Sequence, residues 1–303
     1  MIKRIVEVAH ASLLRVKDRQ LVIEQEGQVV SRIAIEDLGL LLLAHPGNVI
    51  SQQVLVACEQ AGVAVAFCDD KYLPTSLMLQ LTGGSLHTAT LHMQIHASTN
   101  AGRSVWRSIV TAKISAQARH LAAQGKDAMH LEKLAEHVRE EAASEQEAQA
   151  AAYYWRELLG AKFHRDTQHA DGFNSLLNYG YAILRAAVAR AIVGSGLHPA
   201  LGLFHHNRGD NFALASDLME PLRPGVDSLA LKERFNGRET LTPVTKRAML
   251  ELLSGYVDFH HQPLPLWIAL QRYASSVKEV LAGESNEVEI PVWRFSVATE
   301  PCG

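Results

Sequence analysis

Leu81-Thr82-Gly83-Gly84-Ser85 divides this sequence of 303 residues. Two adjacent glycines between small hydroxyl residues interrupt any regular element, and the hydrophobic pattern differs on the two sides. Before them it repeats every two residues. Residues 5–8, 12–16, 20–24 and 29–35 are short, rich in β-branched side chains and separated by polar turns such as Lys17-Asp18-Arg19 and by Gly27. A leucine-rich run at 38–44 ends in the turn signal His45-Pro46-Gly47-Asn48. Ser51 is placed to cap a short helix with Val54, Leu55 and Cys58 on one face. Gly62 ends that helix, and 63–67 reads as a buried strand.

After the glycines the period becomes helical. Trp106, Ile109, Val110, Ile114, Ala118 and Leu121 recur at intervals of three and four. Asn174 is placed to cap a long helix whose apolar face holds Leu177, Gly180, Leu184, Ala187, Val188 and Ala191. Residues 264–281 form another helical pattern, stopped by Gly283, and 288–295 is strand-like. The expected architecture is α+β. A small N-terminal β-sandwich-like domain at 1–84 precedes a larger all-helical C-terminal domain at 85–303.

Composition narrows the function classes. Hydrophobic residues make up 48% and charged residues 20%, as in a folded globular chain and not a disordered one. No run without a polar residue, the one at 38–44 included, approaches the roughly 18 residues of a membrane span. The N-terminus alternates like a strand and has no export-signal pattern, so the expected location is the cytoplasm. Cys58, Cys68 and Cys302 lack paired spacing and read as free thiols. No phosphate-binding glycine loop, dinucleotide fingerprint or serine-hydrolase elbow occurs.

The net charge of −3 hides a segregation along the chain. No Asp or Glu occurs between Asp70 and Asp127, while Lys71, Arg103, Arg107, Lys113, Arg119 and Lys126 do. The next stretch is acidic, with Asp127, Glu132, Glu136, Glu140, Glu141, Glu145 and Glu147 against Lys133 and Arg139. The acid-free segment is a candidate track for nucleic-acid phosphates, or else the exposed face of an ordinary helix.

Two segments carry metal-type chemistry. In EAQAAAYYW, residues 147–155, Glu147 shares a helix face with Ala151, Tyr154 and Leu158. Three alanines keep this stretch slim enough for another element to approach. A carboxylate on an inward face needs a partner or a metal. Glu140 lies seven residues earlier on the same face, and periodicity does not choose between the two. In GLFHHNRGDNFALASDLMEPLRP, residues 202–224, His205 and His206 precede a polar loop, and Asp217 and Glu220 follow three residues apart on one helical face. Imidazole and aligned carboxylates suit Mg²⁺ or Mn²⁺. The other histidines, among them His87, His92, His96, His260 and His261, show no ligand spacing.

These blocks resemble a known family. EAQAAAYYW is similar to the Glu-(Gly/Ala)-x-Ala-Ala-x-x-Tyr-aromatic motif of the CRISPR-associated protein one family. LNYGYAILR, residues 177–185, resembles its central-helix motif. Residues 196–224 resemble its block that starts with Gly-x-x-Pro, continues with Gly-hydrophobic-hydrophobic-His and ends with Asp-Leu-x-Glu-x-x-Arg-Pro. WRSIVTAKISAQA, residues 106–118, is similar to a segment of members from type II systems. The blocks stand in the family's order and, with the β-rich N-terminus, span most of the chain. The resemblance implies metal ligands at Glu147, His205 and Glu220, with Asp217 in support, which resolves Glu147 against Glu140 and His205 against His206. It implies a metal-dependent DNA endonuclease and integrase of CRISPR spacer acquisition, using Mg²⁺ or Mn²⁺. Such a protein joins the 3′-hydroxyl ends of a double-stranded prespacer to the CRISPR repeat by transesterification. It also implies a homodimer joined through the β domains and a heterohexamer with CRISPR-associated protein two. Arg103, Arg107, Lys113 and Arg119 are the candidate DNA contacts. The alternatives are a non-catalytic DNA scaffold of the same fold and an unrelated metal phosphodiesterase acting on small substrates.

Overall fold

A computed structural model describes residues 4–69, 74–78, 87–167, 172–204 and 210–295. The 81–85 breakpoint, His205, His206, Lys71 and Cys302 lie outside these residues, as does the side chain of His87.

The N-terminal part is two stacked four-stranded sheets. One has the order β1 (Arg4–Val8), β5 (Leu38–Leu43), β7 (Ala64–Cys68), β8 (Pro74–Met78). Its first three strands are parallel, and β8 runs antiparallel to β7. The other places β4 (Gln28–Ala34), β3 (Gln20–Gln25) and β2 (Leu13–Lys17) in an antiparallel meander, with β6 (Val49–Ile50) parallel to β2. The leucine-rich run is the central strand β5, and every residue in it is buried. Alternate side chains serve different cores. Leu38, Leu41 and Leu43 pack with Leu14, Leu21 and Ile23 of the second sheet, and with Val54 and Cys58 of α1 (Gln52–Gln60). Leu40 and Leu42, with Ala64 and Ala66 of β7, face the helices. A strand covered on both faces has no polar alternation to show, so its sequence is continuously apolar.

The C-terminal part comprises α2 (His87–His96), α3 (Thr99–Ala123), α4 (Met129–Glu136), α5 (Ala143–Leu159), α6 (Phe173–Gly194), α7 (Ala213–Leu218), α8 (Arg223–Phe235), α9 (Pro243–Glu251) and α10 (Leu266–Ala282). It also carries a small antiparallel sheet of β10 (Gln262–Pro265), β9 (Tyr256–Phe259) and β11 (Val292–Trp293). Helix α6 is long and apolar enough to cross a membrane by length and composition, yet 72% of its apolar window is buried within the protein. It is the hub on which α8, α9, α10 and the first sheet pack. Gly180 makes this possible, since a Cβ there would stand 2.5 Å from Val226 Cγ1 and 3.2 Å from Met249 Sδ.

Several local expectations shift. Ser51 occupies the cap position of α1, but its side chain makes no capping bond. Asn174 does not cap α6, which starts at Phe173 after Gly172. Its Oδ1 instead accepts from the Asp166 amide at 3.1 Å and from Arg165 Nη1 at 3.0 Å. The last long helix begins at Leu266, because Pro263 and Pro265 favour the extended β10 before it. Only Val292–Trp293 of the C-terminal strand-like piece pairs as a strand.

Candidate functional site

Helix α5 turns Ala143, Ala150, Tyr154 and Leu158 inward. The small Ala150 lets α3 and α5 pack closely, and Glu147 emerges one turn before it, against α3. Glu220 opens the short 3-10 turn Glu220–Leu222 between α7 and α8, held at that corner by Pro221 and Pro224. Its side chain is only 6% exposed. The two carboxylates come from segments more than seventy residues apart and meet on one cation, the Lys113 ammonium of α3. Lys113 Nζ stands 2.5 Å from Glu220 Oε2 and pairs still more closely with Glu147 Oε1. Arg223 Nε holds the other Glu220 oxygen at 2.8 Å. Burial works against the charged ammonium, but the Glu220 and Glu147 carboxylates outweigh it and hold the Lys113 pKa above its ordinary value. Two acids and two cations thus form a nearly neutral buried cluster.

Asp217, fully buried on α7, accepts the backbone N–H of Leu203 at 2.6 Å and of Phe204 at 3.0 Å. It thereby anchors the chain immediately before His205. Phe204 also stacks on Trp106 of α3, with ring centroids 4.8 Å apart and planes within 10°. Trp106 Nε1 in turn donates to Ser144 at the start of α5. The segment leading to His205 is therefore tied both to the helix of Lys113 and to the helix of Glu147.

The donors at this site fit a divalent ion. Two carboxylates converge on a resident ammonium, so a cation is accommodated there, and oxygen donors suit Mg²⁺ or Mn²⁺. Among the described residues no third ligand joins them at one point. The third member implied by the family pattern, His205, lies outside the described residues. Glu140 is exposed and lines a groove of about 1000 Å³ with Arg103, Trp106 and Phe204. It does not reach the Glu147 cluster's cations.

The proposed DNA contacts separate. Arg103 and Arg119 are exposed, and so is Arg107, whose Nε donates to Val138 O at 2.8 Å. Lys113 is a correction. It is buried between Glu147 and Glu220 and offers no surface charge for a DNA backbone. The signal is in its spacing, for Lys113 follows Ile109 by four residues and Val110 by three, on the inward face of α3.

Two further features escape sequence reading. Arg165, Arg185 and Arg223 line a pocket of about 280 Å³ with Asn178 and Tyr181. They come from three separate segments, so no local motif joins them. Behind this pocket, Asp227 of α8 accepts from Tyr154 at 2.9 Å and from Tyr181, joining α8 to α5 and α6. Burial pushes the Asp227 carboxyl up to about 6, partly offset by the two tyrosine hydrogen bonds and by Arg223. His120 Nδ1 lies 2.6 Å from the Tyr154 hydroxyl, and burial lowers its pKa to about 4. With the Tyr154 proton directed to Asp227, a neutral His120 donates through Nδ1–H. Of the remaining histidines, His92, His96, His260 and His261 are all exposed.

The chain is similar to proteins of one family. The family model described as CRISPR associated protein Cas1 matches residues 7–242. The chain is 33% identical over 289 residues to the CRISPR-associated endonuclease Cas1 of Neisseria meningitidis serogroup C, covering 94% of each. Among solved structures it superposes on a casposase bound to an integration product with a TM-score of 0.78, at 19% identity, covering 95% of this chain and 93% of that one. It also superposes on a Cas6-RT-Cas1--Cas2 complex with a TM-score of 0.75, at 16% identity, covering 99% of this chain and 36% of the larger one. At these identities the two structures bear on the fold alone.

Proposed function

Because the chain belongs to the CRISPR associated protein Cas1 family, we propose that it is the DNA endonuclease and integrase of a CRISPR spacer-acquisition complex. The observation that carries this reading is the convergence of Glu147 and Glu220 on one cation, beside the segment that leads to His205. The substrate is a short DNA duplex whose 3′-hydroxyl ends attack phosphodiesters at the borders of the CRISPR repeat. The cytoplasm is the proposed location. The working assembly is a homodimer joined through the β domains, two of which flank a dimer of CRISPR-associated protein two.

Glu147, Glu220 and His205 would hold Mg²⁺ or Mn²⁺, which when bound favours the ionised hydroxyl and offsets charge gathering on the attacked phosphate. The chain's own groups do the positioning. Asp217 fixes the amides of Leu203 and Phe204, the last described residues before His205. Arg223 holds Glu220 from the side opposite Lys113 and also lines the pocket with Arg165 and Arg185. Three guanidiniums there suit phosphates flanking the reacting one. The reaction conserves the number of phosphodiester bonds. The 3′-oxygen of the incoming strand bonds to phosphorus, and the 3′-oxygen of the repeat strand leaves and takes a proton. No covalent enzyme intermediate is needed.

The test uses Glu147→Ala and Glu220→Ala. Each is expected to abolish joining of a labelled prespacer to a repeat-bearing plasmid while duplex binding persists. Joining by either purified variant at the wild-type rate overturns the assignment.

A further inference from the structure

We propose that Lys113 is a built-in competitor for the metal: in the metal-free protein its ammonium occupies the place between Glu147 and Glu220, and a divalent ion must move it aside to bind. This rests on the reading that Glu147 and Glu220 hold the metal. Three observations lead to it. Lys113 is 6% exposed on the inward face of α3, where a lysine is costly unless charges meet it. Both charges that meet it belong to the two proposed metal ligands, and both lie within hydrogen-bonding reach of the same nitrogen. Glu220 keeps a second cation, Arg223, on its other oxygen, so Lys113 is not its sole counter-ion.

Charge balance explains the arrangement. With Lys113 and Arg223 in place, the two carboxylates are neutralised. Without Lys113 they would face each other across a buried gap, repel, and either spread apart or take up protons. Lys113 therefore keeps the acids converged before metal arrives. Adding a divalent ion to the intact cluster leaves two surplus positive charges at short range. Moving the ammonium off the carboxylates relieves this. The consequence is a weaker hold on metal in the absence of DNA than two carboxylates and an imidazole would otherwise give. Lys113 acts here as a positioning residue, through the acids.

The test is Mn²⁺ binding to the full-length chain without DNA, by calorimetry and by the paramagnetic signal of free Mn²⁺. The variants are Lys113→Met, Lys113→Gln and Glu147→Ala. Removing the ammonium is expected to tighten Mn²⁺ binding about tenfold or more, to lower the melting temperature in EDTA, and to enlarge the rise that Mn²⁺ produces. A role in packing alone predicts the lower melting temperature without tighter binding. In wild-type protein ¹³C-labelled at the lysine Cε, the Lys113 signal is expected to shift as Mg²⁺ is added, over the range in which calorimetry detects binding. That readout does not depend on how any variant folds. Unchanged or weaker Mn²⁺ affinity in both Lys113 variants, or a Lys113 signal indifferent to Mg²⁺, overturns the proposal while leaving the metal site intact. Mn²⁺ binding unaffected by Glu147→Ala overturns the metal site and this proposal together.

Discussion

Asp227→Asn is expected to stabilise the protein at neutral pH and to do nothing at low pH. Asp227 is almost fully buried and ties α8 to Tyr154 of α5 and Tyr181 of α6. Its carboxyl is raised from 3.8 to about 6, chiefly by burial. The folded state therefore binds this proton more tightly than the unfolded chain. Below the unfolded value both states are protonated and the group is neutral in its effect. As pH rises through the folded value, the folded state is left holding a buried charge, and stability falls by about 3 kcal/mol in all, at about 1.4 kcal/mol per pKa unit. Asparagine keeps one acceptor oxygen, sets its amide N–H where the protonated carboxyl has its O–H, and cannot ionise. The variant should match wild type near pH 4 and exceed it by roughly 2–3 kcal/mol at about pH 7.5, with about half of that gap opening above pH 5. Urea unfolding of both proteins at several pH values measures the gap directly, and effects of other acids cancel in the difference. A gap that is constant with pH, or that narrows as pH rises, rules out a raised Asp227 carboxyl in the folded protein.

Other perturbations test neighbouring parts of the molecule. A Cβ on Gly225 would stand 2.7 Å from Trp293 Cζ2, so Gly225→Ala should push the ring away, disturb its 3.0 Å bond to Leu222 O beside Glu220, and cost about 1–3 kcal/mol in thermal unfolding. Asp217→Ala leaves the Leu203 and Phe204 amides without their acceptor; calorimetry should show metal affinity reduced about 10–100-fold, and unfolding a loss of roughly 2–4 kcal/mol. Reversing Arg103 and Arg107 to glutamate should weaken duplex binding and lower the slope of log affinity against log salt by about 1 for each phosphate that is no longer neutralised. An unchanged slope would remove both from the DNA surface.

How much of the fold is legible in the sequence depends on how local each signal is. Strands β1 to β4 and β7 and the α3, α5 and α6 helices are legible because period and punctuation are carried within ten or twenty residues, whereas the short β6, β8, β9 and β10 carry too few residues to show a period. Strand β5 reads as a leucine run without an assignment, since a strand buried on both faces loses its alternation. Asn174 misplaces the α6 start because an asparagine near a helix start has more than one use, and here it binds the 164–166 segment. In the site, inward acids are legible from helix faces, but residue choice at Glu147 and His205 comes from the family pattern and not from period. Lys113 misleads because charge counted along the chain ignores helix phase. Its spacing from Ile109 and Val110 already places it inside. The Arg165, Arg185 and Arg223 pocket and the Asp227 network join residues dozens of positions apart, and no single-chain pattern brings those together.

The proposed reaction of this chain is the joining of DNA ends through a metal-assisted attack by a 3′-hydroxyl at the Glu147 and Glu220 site. The most direct measurement supplies the protein and its CRISPR-associated protein two partner with a labelled duplex and a supercoiled plasmid bearing the repeat. One duplex ends in a 3′-hydroxyl and the other in a 3′-deoxy terminus, each in Mg²⁺ or Mn²⁺ and in EDTA. Labelled plasmid is expected only with the 3′-hydroxyl duplex and free metal, and none when Glu147 or Glu220 is alanine. Labelled plasmid formed from the 3′-deoxy duplex, or formed equally in EDTA, would contradict the claim.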